Sequence, residues 1–211
     1  SCKGVCKRVE TIDFNPSRDP KLCDGDYCYD EVLVDLLRET LSRPSKEHRV
    51  IVLHMIGSHG PTYYRRYPEK FAKFVPDCPR SDIQNCEEAE LTNTYDNTIA
   101  YTDYVLGQII EQLATIPNSS MLYLSDHGES LGENGLYLHG FPYNLAPVEQ
   151  THVPMVYWAS KFSQPEYSDC VRSLSSHPYS HDNLFDTLLG LTNVQSSTYQ
   201  PTQDILRKCE S

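Results

Sequence analysis

The 211-residue sequence predicts an α/β domain with a largely parallel sheet flanked by helices. Short apolar, β-branched runs alternate along the chain with helical patterns. Two of those runs open directly into histidine-bearing loops with glycines, and open α/β sheets place their sites at strand ends. The length suffices for one domain with a real core, spanning residues 1–211.

Residues 1–29 read as loop, with Pro16, Pro20 and four cysteines. Asp30 to Ser42 places Val32, Leu33, Leu36, Leu37 and Leu41 at helical spacing, with Asp30 and Glu31 suited to the N-terminus and Pro44 beyond the end. Arg49 to Met55 is β-branched and apolar, a buried strand by pattern, and it runs into Ile56-Gly57-Ser58-His59-Gly60-Pro61. Tyr63 to Cys86 is a long irregular excursion, and a loop of that size inside a compact domain is usually functional.

Glu87 to Ala114 is the longest helical pattern. Its expected apolar face is Leu91, Tyr95, Ile99, Leu106, Ile109 and Leu113, with Val105 at the edge. Met121 to Leu124 reads as a buried strand, followed by a polar, glycine-rich loop reaching Pro147. Val153 to Ala159 reads as another strand, with Pro154 near its start. Residues 160–180 read as loop, Asn183 to Leu189 as a helix introduced by Ser180-His181-Asp182, and 195–211 as a polar, loosely packed tail.

Eight cysteines in an even, mostly local arrangement read as disulfides of an oxidising compartment. Proximity suggests Cys2–Cys6, Cys23–Cys28 and Cys78–Cys86, leaving Cys170 and Cys209 for each other. The formal charge of −11 argues against nucleic acid, since no basic stripe is present to neutralise phosphates. It also sits badly with an anionic substrate unless a divalent cation supplies local positive charge. No apolar run approaches the roughly 20 residues that cross a bilayer. The start, polar and without methionine, reads as a piece cut from something longer.

The chemistry concentrates at Ser125-Asp126-His127-Gly128-Glu129. A carboxylate and an imidazole just past a strand end are good zinc ligands once the chain turns, and Gly128 permits a turn. Asp126 and His127 are therefore the candidate metal ligands. Two ligands make half a site, so partners are expected elsewhere. His59 and His139, each beside a glycine in a loop, are candidates for contacting a substrate phosphate or a second metal. Glu129 and Glu133 are either acceptors for imidazole N–H groups or a solvated loop, and His54 is a possible supporting group at its strand end. His48, His152 and His177 read as structural or surface residues. Ser58, Ser125 and Ser130 lie in these loops without any sign of activation, so the nucleophile is expected outside this chain.

The run Ser125-Asp126-His127-Gly128-Glu129-Ser130-Leu131-Gly132-Glu133-Asn134-Gly135, with Tyr137-Leu138-His139-Gly140, strongly resembles the lipid A phosphoethanolamine transferases, which include the colistin-resistance enzymes. His54 to Tyr63, Asn93-Thr94-Tyr95-Asp96-Asn97 and Gln150-Thr151-His152-Val153-Pro154 resemble that family too. The resemblance implies an alkaline phosphatase/sulfatase-like fold and the C-terminal portion of a periplasmic catalytic domain, anchored in the inner membrane by a missing N-terminal domain. It implies zinc on Asp126 and His127, with His59 and His139 on the substrate phosphate or a second zinc. The implied reaction moves phosphoethanolamine from phosphatidylethanolamine to lipid A, conferring polymyxin resistance, through a covalent intermediate on a threonine. That threonine and a further glutamate ligand are expected upstream of Ser1, so the isolated chain is expected to be inactive. The alternatives are a sulfatase- or phosphodiesterase-type hydrolase, or an inert fragment.

Overall fold

A computed structural model describes residues 7–12, 20–45 and 48–209. They fall into two compact units. The first comprises the described parts of Ser1–Ser42, with Leu53–Ile109 and Ser125–Val153; the second comprises the described parts of Arg43–Val52, with Ile110–Leu124 and Pro154–Ser211.

In the first unit, helix α1 (Glu31–Ser42) buries Val32, Val34 and Leu37. Asp30 precedes it, but its carboxylate does not cap the helix. It accepts the backbone N–H groups of Ile56 and Gly57, both at 2.8 Å, and so ties the start of α1 to the loop carrying His59. Burial raises the Asp30 pKa, partly countered by those two N–H groups.

Helix α2 (Glu88–Leu113) buries Leu91, Thr94, Asn97, Thr98, Tyr101, Thr102, Val105 and Ile109. The buried stripe is rotated from the expected apolar face, and Ile99 is exposed. The cause is polar. Asn97 Oδ1 accepts the N–H groups of Lys73 and Phe74 at 2.8 and 2.9 Å, and its amide donates to the Phe74 carbonyl at 3.0 Å. Thr94 Oγ1 accepts the Cys78 N–H at 2.6 Å, and Asn93 donates to the Pro76 carbonyl at 2.8 Å. Backbone groups of the 63–86 excursion, buried at Cys78 and partly buried at Lys73 and Phe74, thus find their partners on the helix. The Asn93–Asn97 motif is the clamp for that excursion.

The Tyr63–Cys86 region is organised by three 3₁₀ turns, at Tyr63–Arg65, Glu69–Phe71 and Ile83–Asn85. Tyr63, Ile83 and Leu91 form a core cluster, with Cys86, Tyr95, Leu131, Tyr137 and Leu138 packed on it.

In the second unit, strand β1 (Ser120–Leu124) leads in sequence to the site loop, which belongs to the first unit. In that first unit, β2 (Ser130–Leu131) pairs antiparallel with β3 (Tyr137–Leu138). The loop expected to be irregular is therefore a small hairpin. Its turn needs left-handed backbone at Gly132, Asn134 and Gly135. Helix α3 (Val148–Thr151) closes this unit.

In the second unit, β1 pairs antiparallel with β4 (Met155–Ala159), Met121 facing Trp158 and Tyr123 facing Val156. The mixed helix-and-strand class holds, but the strand pairs among the described residues are antiparallel, not parallel. The expected strand at Arg49 to Met55 joins no ladder. Its side chains alternate in burial from Ile51 to Ile56, yet Val50 and Val52 are 65% and 85% exposed, and the segment pairs with no strand among the described residues.

The expected loop 160–180 contains α4 (Pro165–Leu174), with proline in its first turn. Helix α5 (Asn183–Leu191) extends slightly past its expected end, and the His181 carbonyl accepts the Leu184 N–H at its start. The tail is better held than its polarity suggests. Buried Asp186 accepts the Gln200 N–H at 2.6 Å, Thr187 accepts that of Ile205 at 3.1 Å, and Leu206 is buried. Polar partners supply that order, which an apolar pattern cannot reveal.

Disulfides join Cys23 to Cys28, Cys78 to Cys86, and Cys170 to Cys209. The suggested Cys2–Cys6 pair lies outside the described residues.

Candidate metal centre

Every residue of the centre lies in the first unit. Hairpin register explains its geometry. Ser130 faces Leu138 in the last pair, so one step further out Glu129 and His139 come opposite each other. Their contact is direct, with His139 Nδ1 3.1 Å from Glu129 Oε1. Leu138, just before His139, holds φ at +64°, a left-handed conformation unusual for a branched apolar residue.

Glu129 is the hub. Its Oε1 also accepts the Gly60 N–H at 3.1 Å, and its Oε2 accepts the Tyr63 hydroxyl at 3.2 Å. Its side chain is only 3% exposed, so its charge is held by hydrogen bonds rather than by water. In turn, burial and the Glu129 charge push the Tyr63 phenol well above its ordinary pKa, which keeps it a donor.

The loop carrying His59 is fixed from three sides. Asp30 holds Ile56 and Gly57, and Glu129 holds Gly60. Arg66 Nε donates to the His59 carbonyl at 2.8 Å. Arg65 and Arg66 both lie over the Tyr27 ring, between Cys23 and Cys28, and Arg65 pairs with Asp24. A side chain at Gly60 would meet Leu138 and Tyr63 within 2.6–2.8 Å, so the loop backbone lies directly on the hairpin core.

The loop carrying Asp126 and His127 is closed by Ser125, whose hydroxyl donates to the His127 carbonyl at 2.8 Å. Gly128 N–H donates to the Gln150 carbonyl at 3.0 Å, and a Cβ on Gly128 would run into the Glu149 carbonyl oxygen. Gly128 is required here by close approach of two backbones, whereas the sequence suggested turn freedom. Gln150 Nε2 donates to Ser130 Oγ at 2.9 Å, which accounts for the Gln150-Thr151-His152 motif through Gln150; His152 itself is exposed.

Three imidazoles converge. The His127 and His139 rings stack at 3.9 Å between centroids, and His59 stands edge-on to both, at 6.3 and 5.3 Å. His59 Nδ1 lies 2.6 Å from the Gly60 carbonyl oxygen and His127 Nδ1 3.0 Å from that of Gly128. A carbonyl can only accept, so these two Nδ1 atoms carry the protons. The Glu129 carboxylate fixes His139 in the same way. Each ring therefore keeps its Nε2 lone pair for something else. Anchoring one ring nitrogen on a carbonyl or carboxylate is the usual support of a metal-binding histidine.

His127, Glu129 and His139 offer ligand atoms that all lie within 4.8 Å of one another. Asp126 is outside that group. Its side chain is 90% exposed, with Oδ1 3.9 Å from His127 Nε2 and 3.1 Å from the His127 N–H. His54 is exposed and near enough to Asp30 to favour its ionised form. Glu133 accepts the Leu131 N–H at 2.7 Å and so shapes the hairpin turn rather than touching a ring. The residues that sequence reasoning missed are Tyr63, Arg66 and Asp30. Tyr63 and Arg66 follow His59 closely in the chain, which is a signal the sequence offered, whereas Asp30 reaches the His59 loop only through contacts 26 and 27 residues away.

A family model described as sulfatase matches residues 2–194. Phosphoethanolamine transferase EptA of Salmonella typhimurium strain LT2 is 50% identical over 215 residues, covering 99% of this chain but 39% of that protein. The chain thus spans about two-fifths of the length of the first curated relatives it matches. The crystal structure of the soluble domain of lipooligosaccharide phosphoethanolamine transferase A from Neisseria meningitidis superposes with a TM-score of 0.91 at 44% identity, covering 99% of this chain and 64% of that one. The integral membrane form of the Neisseria meningitidis protein superposes with a TM-score of 0.92 at 44% identity, covering 99% of this chain and 40% of that one.

Proposed function

This chain belongs to the sulfatase family, and we propose that it carries the metal-binding part of an enzyme that moves phosphoethanolamine from phosphatidylethanolamine onto lipid A. Its place of action is the periplasmic face of a Gram-negative inner membrane, reached through a membrane domain upstream of residue 1. The observation that carries this reading is the trio His59, His127 and His139, each with Nδ1 anchored on an oxygen acceptor. The transferred group is taken from its relatives, which are phosphoethanolamine transferases.

Neutral imidazole nitrogens beside a carboxylate suit Zn²⁺. Asp126 and His127 would hold a zinc ion, with His59 and His139 on the substrate phosphate or a second zinc. A bound zinc supplies Lewis-acid stabilisation of charge on phosphoryl oxygens. The chain's own residues do the positioning. Glu129 fixes the tautomer and angle of His139 while holding the His59 loop through Gly60. Tyr63 and Gly60 keep that carboxylate in place by donating to it. A ring held in this way presents Nε2 to a phosphoryl oxygen or a metal without reorganising, which is the source of most electrostatic rate enhancement.

The local hydroxyls are engaged elsewhere. Ser125 donates to His127, Ser130 accepts from Gln150, and Ser58 Oγ lies 2.6 Å from Thr98 Oγ1. The covalent step would fall on a threonine, with a further glutamate ligand, both supplied by a segment upstream of residue 1, as the family resemblance implies. Polymyxin resistance follows, because added phosphoethanolamine offsets the negative charge of lipid A.

Mass spectrometry of lipid A from cells expressing the full-length gene tests the reading. Phosphoethanolamine-modified lipid A is expected, and it should vanish in Asp126→Ala. Unmodified lipid A in the presence of folded wild-type protein would reject it. A hydrolytic reading is favoured by one observation, the sulfatase description of the family model. Turnover of an aryl sulfate with release to water, without transfer to lipid, would support that alternative.

A further inference from the structure

The segment following His139 is unusual for an acidic chain. From Asn134 to Val148 the sequence contains no Asp, Glu, Lys or Arg, although Glu133 and Glu149 bracket it and the chain carries −11 overall. Within it Phe141, Tyr143, Leu145 and Val148 are 40%, 85%, 68% and 61% exposed. Four large apolar side chains in eight residues is a patch, not the scattered exposure normal for a surface. The backbone is not ragged there. Leu145 and Ala146 both donate to the Pro142 carbonyl at 2.8 Å, closing a turn between Pro142 and Pro147 with Tyr143 near its tip.

We propose that the 141–148 turn is a lipid-contacting wedge that seats the rim of the metal centre in the bilayer interface. The choice of a lipid partner rests on the transferase reading, but the contact is a binding event that does not need transfer to occur. Two things favour a lipid surface over a protein. The net charge of −11 disfavours electrostatic attraction to an anionic surface, and an uncharged segment suits the contact better. A tyrosine and a phenylalanine on a proline-bracketed turn, with no acid or base to desolvate, match the chemistry of interfacial anchors. Nearness to chemistry follows from the chain itself, since Phe141 is two residues from His139. The same fold also occurs in an integral membrane protein.

The test is partitioning of the 211-residue chain onto vesicles of zwitterionic phosphatidylcholine and phosphatidylethanolamine. Binding is expected, with little change between low and high salt. The double variant Tyr143→Ser/Leu145→Ser should partition at least about tenfold more weakly. Its thermal unfolding should match the wild type because both side chains are exposed. A single-tryptophan reporter, Tyr143→Trp in a Trp158→Phe background, should shift its emission to shorter wavelength on the same vesicles. Absence of vesicle binding, equal binding by the double variant, an unshifted reporter, or binding that needs acidic lipid and disappears in salt would each overturn the proposal. A protein segment as the true occupant would give the first of these. Failure here with phosphoethanolamine transfer intact in cells would leave the proposed function standing.

Discussion

Glu129 and His139 face each other one step beyond the last pair of the β2–β3 hairpin, with Oε1 and Nδ1 3.1 Å apart. Removing that carboxylate frees the His139 ring, the Tyr63 hydroxyl and the Gly60 N–H together. Glu129→Ala is expected to weaken zinc binding about 10–100-fold, the usual effect of losing a histidine's supporting acceptor. Calorimetric titration of wild type and variant with zinc reads this directly. Unchanged affinity would mean that the hub does not support the metal site.

The acceptors at Nδ1 specify the tautomers. In the metal-free protein at a pH where the rings are neutral, His59, His127 and His139 should each carry the proton on Nδ1. Long-range proton–nitrogen NMR correlations distinguish the two nitrogens of each ring. Protons on Nε2 of His59 or His127 would contradict the carbonyl contacts.

Asn97 is fully buried and serves two backbone donors and one acceptor of the excursion. Asn97→Ala should cost about 2–4 kcal/mol, because the N–H groups of Lys73 and Phe74 lose their acceptor inside the protein. Urea unfolding measures the loss. Limited proteolysis should show earlier cutting between residues 72 and 82 than elsewhere.

Gly128→Ala puts a methyl group against the Glu149 carbonyl. One of the two backbones must shift, at about 1–3 kcal/mol. The hydrogen bond from Gly128 N–H to the Gln150 carbonyl should weaken with it. Faster exchange of the backbone amide at position 128 of the variant, with α5 in the other unit unaffected, is the expected signature.

Two aspartates give opposite pH slopes. The Arg65 hydrogen bond holds Asp24 down to about 2 from an ordinary 3.8, so its contribution is complete above 3.8 and lost as pH falls through about 2. It is a small contribution, because the pair is largely solvated. Burial raises Asp30 above 3.8, so its contribution is largest in acid and declines as pH rises through the elevated value. Carbon-detected titration of the two carboxyl groups should place Asp24 below and Asp30 above the ordinary range.

The parts of this molecule that repeat a pattern were legible in the sequence. Helices α1 and α2, strands β1 and β4, and three of the suggested disulfides announce themselves by periodicity or proximity. The site histidines were legible because glycine-flanked loops give no packing reason for them. What was hidden depends on contacts distant in sequence. Asp30 reads as a helix cap, yet it spends its oxygens 26 and 27 residues away. Glu129 reads equally as solvated loop or support, and only the hairpin register brings it to His139. The rotation of α2 follows from Thr94 and Asn97 answering backbone groups of another segment, which no hydrophobic count includes. Helix α4 was within reach, since Tyr167, Cys170, Val171 and Leu174 follow helical spacing.

The clamp on the excursion also sets where this chain can tolerate change. Asn97 grips it at Lys73 and Phe74, Thr94 grips it at Cys78, and the disulfide closes it at Cys86. Between the last two anchors, Pro79 to Asp82 is exposed throughout. Insertions or deletions there leave every anchor and the metal centre in register, whereas a single residue added between Tyr63 and Phe74 displaces them all. Natural variation in loop length, and with it any tuning of what is admitted to the site, should therefore accumulate at 79–82.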